Sequence, residues 1–353
     1  MLEINGNIGE GGGQILRTAL ALSMLTRKPF HMTNIRAGRP TPGIKTQHLE
    51  CINALCCISN SKAEGATLGS QEITFFPDKI TKFKHNIKID TAGSIGLILQ
   101  CLLLPLSQTS QTGKKVKLTI TGGTDVEWAT PVDFLQNITF PLLTPWTKIN
   151  CTIKKRGYYP SGGGLVSVQI TPQEKSEEKT TEEKVHRTFE YTHPGELYSI
   201  KGISHSSQDL QNKKVAERQA NAAKTALLGL NVPIDIRVEY VPTQSTGAGI
   251  TLWAISVHNG ELSTILGADA LGKKEIPAEP LGKSVAEKLL HTINSKTAID
   301  LHTADNLIPW MAIHKPAIIT TEQITQHTLT NIEITKKFLE VQFTQNNNTI
   351  SCQ

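Results

Sequence analysis

The chain has 353 residues, of which 38% are hydrophobic and 19% charged, and a formal net charge of +5. This composition excludes a disordered or collagen-like chain, and the length exceeds that of one ordinary core, so we expect two domains. The start MLEINGNIGE is not a signal peptide, and no stretch approaches about 20 apolar residues. We therefore expect a soluble protein with no membrane partner, in the cytoplasm, or in the nucleus of a eukaryotic host.

Hydrophobic periodicity predicts alternating strands and helices along the first 80 residues. They are a strand LEIN, a helix over 14–24, a strand over 30–35, a helix over 46–58 and an extended segment QEITFFP. The same order returns as a strand NIKID, a helix over 95–106, a strand VKLTITGG, a helix over 132–143 and strands INCTIKK and GLVSVQITP.

A third copy of the pattern is predicted near the C-terminus. It comprises a strand TAIDLH, a helix over 305–313, a strand AIITT, the segment after His327 and a strand FLEVQFTQ. The spacing predicts an α/β (α+β) fold of three β-α-β-α-β repeats, each of roughly 55 to 90 residues, longer than the usual solenoid unit.

A charge-dense segment, PQEKSEEKTTEEKVHR, separates the second and third copies and is typical of a solvated linker. Strand-like EYTHPGELYSIKGIS, a helix over 213–228, strands near 234–240 and 250–257 and a helix near 280–293 follow it. We expect a large domain of residues 1–185 and 297–353, with a small α+β domain of residues 186–296 inserted into it.

Glycine-rich segments offer candidate phosphate sites, although none is a standard nucleotide-binding motif. GADALGKK has Lys274 where a Walker A loop needs Ser or Thr, and PAEPLGKS has Pro277 at the required first glycine. GEGGGQ places glycines between a strand and a helix, where unpaired N–H groups favour an anion, and Glu10 adds a carboxylate able to hold a metal. GYYPSGGG follows three basic residues and, like GEGGGQ, is either an anion site or a simple turn.

A basic cluster of Arg36, Arg39 and Lys45 lies in the loop-like stretch IRAGRPTPGIKTQH. It is either a solvated loop or a phosphate-binding site, and the residues themselves do not decide between the two.

Several long segments occur in an order that resembles the RNA 3′-terminal phosphate cyclase family. They are NGNIGEGGGQILRTALALSMLT, IRAGRPTPGIKTQHL, GSIGLILQ, GGTDVEWATPVDF, RGYYPSGGG, GKKEIPAE, HTADNLIPWMA and HTLTNI. The resemblance implies three repeats, each like the C-terminal domain of translation initiation factor three, and a thioredoxin-like small domain inserted before the third. Residues from Phe189 to about Thr243 contribute little to it.

The resemblance also implies a reaction. His327 in QHTLTNI would attack the α-phosphate of ATP and become adenylated on its tele nitrogen, after which AMP passes to the RNA 3′-phosphate. Attack by the adjacent 2′-hydroxyl would then release AMP and leave a 2′,3′-cyclic phosphate. Histidine suits this role because a neutral imidazole is abundant near pH 7 and leaves readily from a phosphoramidate.

Further site residues follow from the same resemblance. It implies an ATP site, with a ring at position 302 stacking on adenine, formed by Gln100, Pro131, His302, Thr303, Ala304, Asp305 and Asn306. It assigns catalysis or metal binding to Glu10, Arg17 and Arg39 beside His327, and RNA phosphate binding to Arg36, Gln47 and His48. ATP and Mg²⁺ or Mn²⁺ are the expected small ligands, an RNA with a 3′-terminal phosphate is the expected partner, and a monomer or weak dimer is the expected state.

Two other function classes share this kind of fold. A noncatalytic ribosome-assembly factor is related to the cyclases but lacks the adenylated histidine, whereas His327 is present here. Enolpyruvyl transferases use related β-α repeats, but they need neither the HTLTNI and HTADN segments nor the small insert. Both alternatives are therefore less favoured than the cyclase, and fold by itself decides neither.

Overall fold

The structure is a computed structural model that describes residues 1–110, 113–171 and 188–353. Four mixed four-stranded sheets and the helices packed on them give the α/β architecture expected from the sequence. The predicted linker over 172–187 lies outside the described residues. Among the residues described, no helix combines the length and hydropathy needed to cross a bilayer.

The first sheet has the order β1-β2-β4-β3, with a parallel first pair and antiparallel pairs after it. Its elements are β1 Leu2–Asn5, α1 Gly13–Thr26, β2 Phe30–Thr33, α2 Thr46–Ile58, β3 Lys62–Glu64 and β4 Ile73–Phe76. Helix α1 ends where Arg27 adopts a left-handed conformation (φ 57°) and its N–H caps the Ser23 carbonyl. Helix α2 has the predicted bounds, whereas strand β3 was not predicted.

The second sheet repeats this topology in the order β5-β6-β8-β7. Its elements are β5 Lys84–Lys88, α3 Ile95–Ser110, β6 Val116–Gly122, α4 Val132–Phe134, α5 Phe140–Leu143, β7 Lys148–Lys155 and β8 Gly164–Thr171. Burial alternates residue by residue along β8, as expected of a strand with one face on the core. The helix predicted over 132–143 contains a π-helical turn, Leu135–Thr139, between α4 and α5.

A separate sheet has the order β11-β10-β12-β13 and follows one short strand, β9 Phe189–Tyr191. Its elements are β10 Glu196–Ser207, α6 Val215–Leu227, β11 Ile234–Val241, β12 Ala248–His258, β13 Glu261–Leu271 and α7 Ala278–Asn294. These elements bury their own apolar cluster, which includes Ile200, Leu252 and Leu289. Strand β13 was not predicted and contains the GADAL of the failed phosphate motif.

The third repeat sheet has the order β15-β16-β14-β9, which is the order of the first two sheets read from its other edge. Its remaining elements are α8 Leu301–Ile313, β14 Ala317–Thr320, α9 Gln326–Phe338, β15 Phe343–Asn346 and β16 Thr349–Cys352. Each repeat is thus a β-α-β-α-β-β unit, with the two final strands predicted for the second copy and one strand more than predicted for the first and third. Since β9 is its first strand, the separate sheet interrupts the third unit after its first element.

Two strand predictions in this third unit are wrong. TAIDLH forms only an isolated bridge at Ile299, because the Asp300 side chain accepts from the Thr303 N–H and starts α8 at Leu301. FLEVQFTQ is not one strand, because Phe338 still belongs to α9 and β15 begins only at Phe343. The domain boundaries and the likeness to initiation factor three stay predictions.

A buried polar cluster joins the second repeat to the separate sheet. Arg156 Nη1 lies 2.5 Å from Asp133 Oδ2 and 3.4 Å from Asp125 Oδ2, and its Nη2 lies 2.8 Å from Glu239 Oε2 on β11. His205 on β10 contacts Asp125 Oδ1 through Nε2 at 3.2 Å. The ion pairs therefore run between the two sheets and are shielded from water.

Candidate functional site

Two helix N-termini from opposite ends of the chain meet at His327. His327 is the second residue of α9, and its Nε2 lies 3.1 Å from Glu10 Oε2, just before α1. The same Glu10 oxygen accepts a hydrogen bond of 3.1 Å from Arg39. His327 Nδ1 contacts Gln14 Oε1, and the imidazole remains 44% exposed. Helix N-termini favour anions, so the site suits a phosphate group approaching an accessible imidazole.

Gln14 fixes the state of this imidazole. An amide oxygen only accepts hydrogen bonds, so Nδ1 must carry the proton that it shares with Gln14 Oε1. The neutral ring then presents its lone pair at Nε2, while Glu10 is placed to accept a proton from Nε2 when the ring is charged. The arrangement therefore leaves the lone pair of the neutral ring on Nε2 of His327.

Asp305 holds the start of α9 in place. Its Oδ1 accepts from Thr325 Oγ1 at 2.7 Å and from Thr328 Oγ1, while Thr325 caps the helix by accepting from the Thr328 N–H. Asn331 donates to the Asp305 carbonyl at 2.7 Å and accepts from Thr18 of α1 at 2.8 Å. Burial raises the pKa of Asp305, against the lowering effect of these hydroxyl groups. The network sets the position of His327 relative to α1.

A cleft beside His327 contains another part of the predicted site. Arg17, Gln100 and Asp305 line it together with Asn306 and Trp310. Burial lowers the pKa of Arg17, although a guanidinium of this kind stays charged at neutral pH. Within the described part of the chain, Arg17 forms no ion pair. The cleft therefore offers the Arg17 guanidinium and four side-chain amides, those of Gln14, Gln100, Asn306 and Asn331, to an anionic, hydrogen-bonding ligand.

His48 lies buried beside the start of α1. Its Nδ1 accepts from the Lys45 N–H at 3.1 Å, so the ring proton is on Nε2, which has no hydrogen-bond partner among the described residues. Burial, followed by the charges of Arg17, Arg36 and Lys45, lowers the pKa of His48 to about 3. His48 is thus a neutral ring with an unused donor, surrounded by positive charge.

Close packing against His48 requires glycine at position 13. A Cβ at Gly13 would lie 2.0 Å from His48 Nε2, whereas a Cβ at Gly229 would meet nothing within 4 Å. We expect Gly13→Ala to lower the free energy of unfolding by about 1 to 3 kcal/mol through overpacking, and Gly229→Ala to change it by less than about 0.5 kcal/mol. Urea unfolding of both variants measures the difference, and equal midpoints would contradict this account.

Arg36 and Gln47 lie on the same side of the site. Arg36 has a left-handed backbone (φ 56°) and donates to the carbonyls of Thr41 at 2.7 Å and Gly43 at 3.3 Å, so it folds its own loop. Gln47 is in the first turn of α2, next to His48. The basic loop is therefore an ordered structure beside the cleft.

The remaining predicted residues form a second group at the start of α4 and α8. The His302 ring meets Phe134 edge-on with centroids 5.9 Å apart, and buried Pro131 precedes α4. Thr303 and Ala304 donate to Asp300 and so build the helix start, while Asn306 donates to the His302 carbonyl. Burial raises the pKa of Asp300 to about 6. His302 is exposed.

Glu10 is the carboxylate beside His327 that fits the expected metal. Glu10 fits the usual mode of Mg²⁺, which takes one or two protein carboxylates and completes its shell with phosphate oxygens and water. Among described residues, the three-ligand cluster of Asp125, Asp133 and His205 lies elsewhere. The carboxylates of that cluster already contact Arg156 and His205, so we assign no cation to it.

Several contacting residues were not predicted from the sequence. Gln14 was visible at the end of GEGGGQ, at a predicted helix start, but nothing in the sequence linked it to His327. Thr325 and Asp300 each precede a helix as capping residues, which is a signal that the sequence did contain.

Comparison with known proteins gives a consistent result over nearly the whole chain. Residues 8–345 match the family model described as RNA 3′-terminal phosphate cyclase. Curated proteins of that name from Pyrococcus furiosus and Methanosarcina barkeri are 42% and 40% identical, covering 96% and 97% of this chain and 93% and 96% of their own lengths. One from Caldivirga maquilingensis is 42% identical over 96% of this chain and 93% of its own. A PelC L103M dodecamer structure from Paraburkholderia phytofirmans aligns over 29% of this chain and 90% of its own with a TM-score of 0.16 and 12% identity, too low to bear on the fold.

Proposed function

Since the chain belongs to the RNA 3′-terminal phosphate cyclase family, we propose that it uses ATP to convert an RNA 3′-phosphate into a 2′,3′-cyclic phosphate through an adenylated His327. The observation that carries the proposal is the position of His327. It lies at a helix N-terminus with Nδ1 fixed by Gln14 and Nε2 beside Glu10, next to the uncompensated charge of Arg17.

The first step is attack of His327 Nε2 on the α-phosphorus of ATP. The N–P bond forms, the bond to the β-phosphate breaks, and pyrophosphate leaves. Glu10 takes any proton on Nε2, and Arg17 stabilises charge on the phosphate oxygens. A bound Mg²⁺ or Mn²⁺, held by Glu10 and the phosphates, would neutralise further negative charge.

Two transfers complete the reaction. An oxygen of the RNA 3′-phosphate attacks the AMP phosphorus, the N–P bond breaks, and a phosphoanhydride joins RNA to AMP. The 2′-hydroxyl then loses its proton and attacks the terminal phosphorus, and AMP leaves as the ring closes. We assign the RNA phosphate to the electropositive side of the site formed by Arg36, Gln47 and His48, where the charges of Arg17, Arg36 and Lys45 surround the neutral His48 ring.

We assign ATP to the cleft and the group beside it. Gln100, Asp305 and Asn306 line the cleft, and Pro131 and His302 lie at the neighbouring helix starts, where the exposed ring suits adenine. Thr303 and Ala304 support this region through Asp300.

The direct test supplies purified protein with ATP labelled at the α-phosphate, a divalent metal and an RNA with a 3′-phosphate. We expect label on the protein that is acid-labile and alkali-stable, and conversion of the RNA end to a phosphatase-resistant form. RNA binding without label or conversion would reject the cyclase reaction and favour a noncatalytic role.

Gln14 provides a second test of the geometry. Gln14→Leu removes the acceptor that keeps the proton on Nδ1, so we expect adenylation to slow by about 10- to 100-fold, as for other residues that orient a histidine. The rate should fall with little change in KM for ATP, and the pH profile of adenylation should shift. Gln14→Glu, which retains the acceptor, should recover part of the rate, whereas an unchanged pH profile would indicate a packing role only.

A further inference from the structure

We propose that Trp128 and Tyr159 form a stacking surface for unpaired bases next to the RNA 3′ end. This inference rests on the proposed function for the orientation of the RNA, and it assigns a binding site beyond the terminal phosphate. The two side chains are 95% and 76% exposed, the two highest values among the large apolar and aromatic side chains of the described chain. Aromatic rings left in water in this way are typical of ligand contact.

Trp128 carries a second, independent signal in its backbone. Its φ is +63°, a left-handed conformation that a bulky residue rarely adopts outside functional or strained sites. Glycine or asparagine would fit this turn with less strain. The loop therefore keeps the large Trp128 ring in water at a backbone position that disfavours bulky residues. Local folding gives no reason for a tryptophan there.

Three loops meet at this surface. A parallel bridge pairs Asp125 with Tyr158, so the segments that carry Trp128 and Tyr159 run side by side. Glu127, next to Trp128, forms an ion pair of 3.1 Å with Lys273, and Lys274 beside it is exposed. Lys274 thus adds a positive charge beside the aromatic rings, while the charge of Lys273 is offset by Glu127. Aromatic rings next to a cation are the combination that binds a single-stranded nucleic acid backbone and its bases together.

This surface continues into the candidate phosphate site. The Gly123 N–H donates to the Gly93 carbonyl at 2.9 Å, and a Cβ at Gly93 would lie 3.9 Å from Gln47 Cβ. Three residues after Trp128, Pro131 begins α4 in the region assigned to ATP. An RNA whose terminal phosphate lies beside Gln47 therefore has the Trp128 surface within reach of its preceding nucleotides.

The arrangement favours single-stranded RNA over a protein partner. Flat aromatic rings next to exposed lysines suit bases and phosphates, and stacking tolerates every base because each has a π-face. A duplex would hide those faces in its own stack. The expected ligand is thus an RNA with at least one or two unpaired nucleotides before its 3′-phosphate.

The test measures binding without turnover. A 5′-fluorescent RNA of about six nucleotides with a 3′-phosphate is titrated in the absence of ATP and followed by anisotropy. We expect Trp128→Ala to raise Kd about 5- to 100-fold and Trp128→Phe to recover most of the affinity. Tyr198→Ala is the matched control, because Tyr198 is 64% exposed near the start of β10, at the opposite end of that strand from His205. The Kd of this variant for the RNA should change less than about twofold.

Two comparisons make the outcome decisive. With an RNA that keeps its phosphates but lacks the last bases, Trp128→Ala and the unchanged protein should bind equally. The proposal would be overturned if Trp128→Ala bound the normal RNA as tightly as the unchanged protein does. It would also be overturned if Trp128→Ala lost as much affinity for the abasic RNA as for the normal RNA, or if the unchanged protein bound no RNA. Trp128→Ala should be adenylated by ATP as the unchanged protein is. If the unchanged protein bound the RNA but did not cyclise it, the proposed function would be rejected, while the comparison of RNA affinities would stay valid.

Discussion

His327→Ala is expected to abolish covalent labelling by ATP and to reduce cyclisation of a 3′-phosphorylated RNA by roughly 10⁴- to 10⁶-fold. The reason is that the first step needs a nucleophile whose other nitrogen is fixed by Gln14, and no other described side chain has that position. The measurement is incorporation of label from α-labelled ATP, followed by analysis of the RNA end.

The control separates loss of the nucleophile from loss of the fold. His291 on α7 is 82% exposed and pairs only weakly with Glu322 at 3.8 Å, so His291→Ala should retain full labelling. Chemically prepared RNA that already carries AMP on its 3′-phosphate bypasses the histidine. We therefore expect His327→Ala to cyclise that RNA, and significant labelling of the variant by ATP would show that another residue is the nucleophile.

Arg156→Met is expected to lower the free energy of unfolding by about 3 to 5 kcal/mol, because it leaves buried carboxylates without their counterion. Arg156 and both aspartates have side chains no more than 3% exposed, and Glu239 joins the same guanidinium from the other sheet. Urea unfolding at pH 7 measures the loss, and the contact between the two sheets should weaken first.

An exposed pair provides the comparison. Arg218 contacts Glu279 at 2.6 Å, but their side chains are 42% and 49% exposed, so Arg218→Met should shift the urea unfolding midpoint far less than Arg156→Met does. An equal loss of stability in Arg156→Met and Arg218→Met would show that burial of the Arg156 cluster does not strengthen its contribution to stability.

The pH dependence follows from the same cluster. Burial raises the pKa of Asp125, but the His205 contact and the Arg156 charge outweigh it and hold the pKa well below its usual range. A carboxyl with a lowered pKa stabilises the fold above its unfolded pKa near 4 and loses that contribution as the pH falls. Without Arg156 the aspartates protonate more readily. The difference in free energy of unfolding between the unchanged protein and Arg156→Met should therefore narrow below about pH 4.

Periodicity predicted the elements best where local signals and burial agree. Helix α2 was found with its predicted bounds, and GLVSVQITP, predicted as a strand, forms β8. TAIDLH failed because alternating apolar residues resemble a strand, while the capping bond of Asp300 decides for a helix. Phe189–Tyr191 is too short to be assigned to a sheet by pattern, since its partner β14 lies far along the chain.

The site was predicted unevenly for a related reason. The resemblance pointed to His327, Glu10 and Arg39, which the structure places in one contact chain. Nothing in spacing could reveal that Gln14 contacts His327, because the two are 313 residues apart. Likewise, the interaction of Asp305 with Thr325 and Thr328 depends on how α8 and α9 pack. Such contacts arise only once the repeats have assembled.

The contact between Gln14 and His327 also fixes when activity can begin during synthesis. A ribosome adding about 5 to 20 residues per second needs roughly 15 to 60 seconds to travel between the two positions. Throughout that interval the nascent chain exposes the glycine-rich turn and its cations but has no nucleophile. Under the proposed mechanism, translation that stops before α9 therefore yields a product that cannot be adenylated.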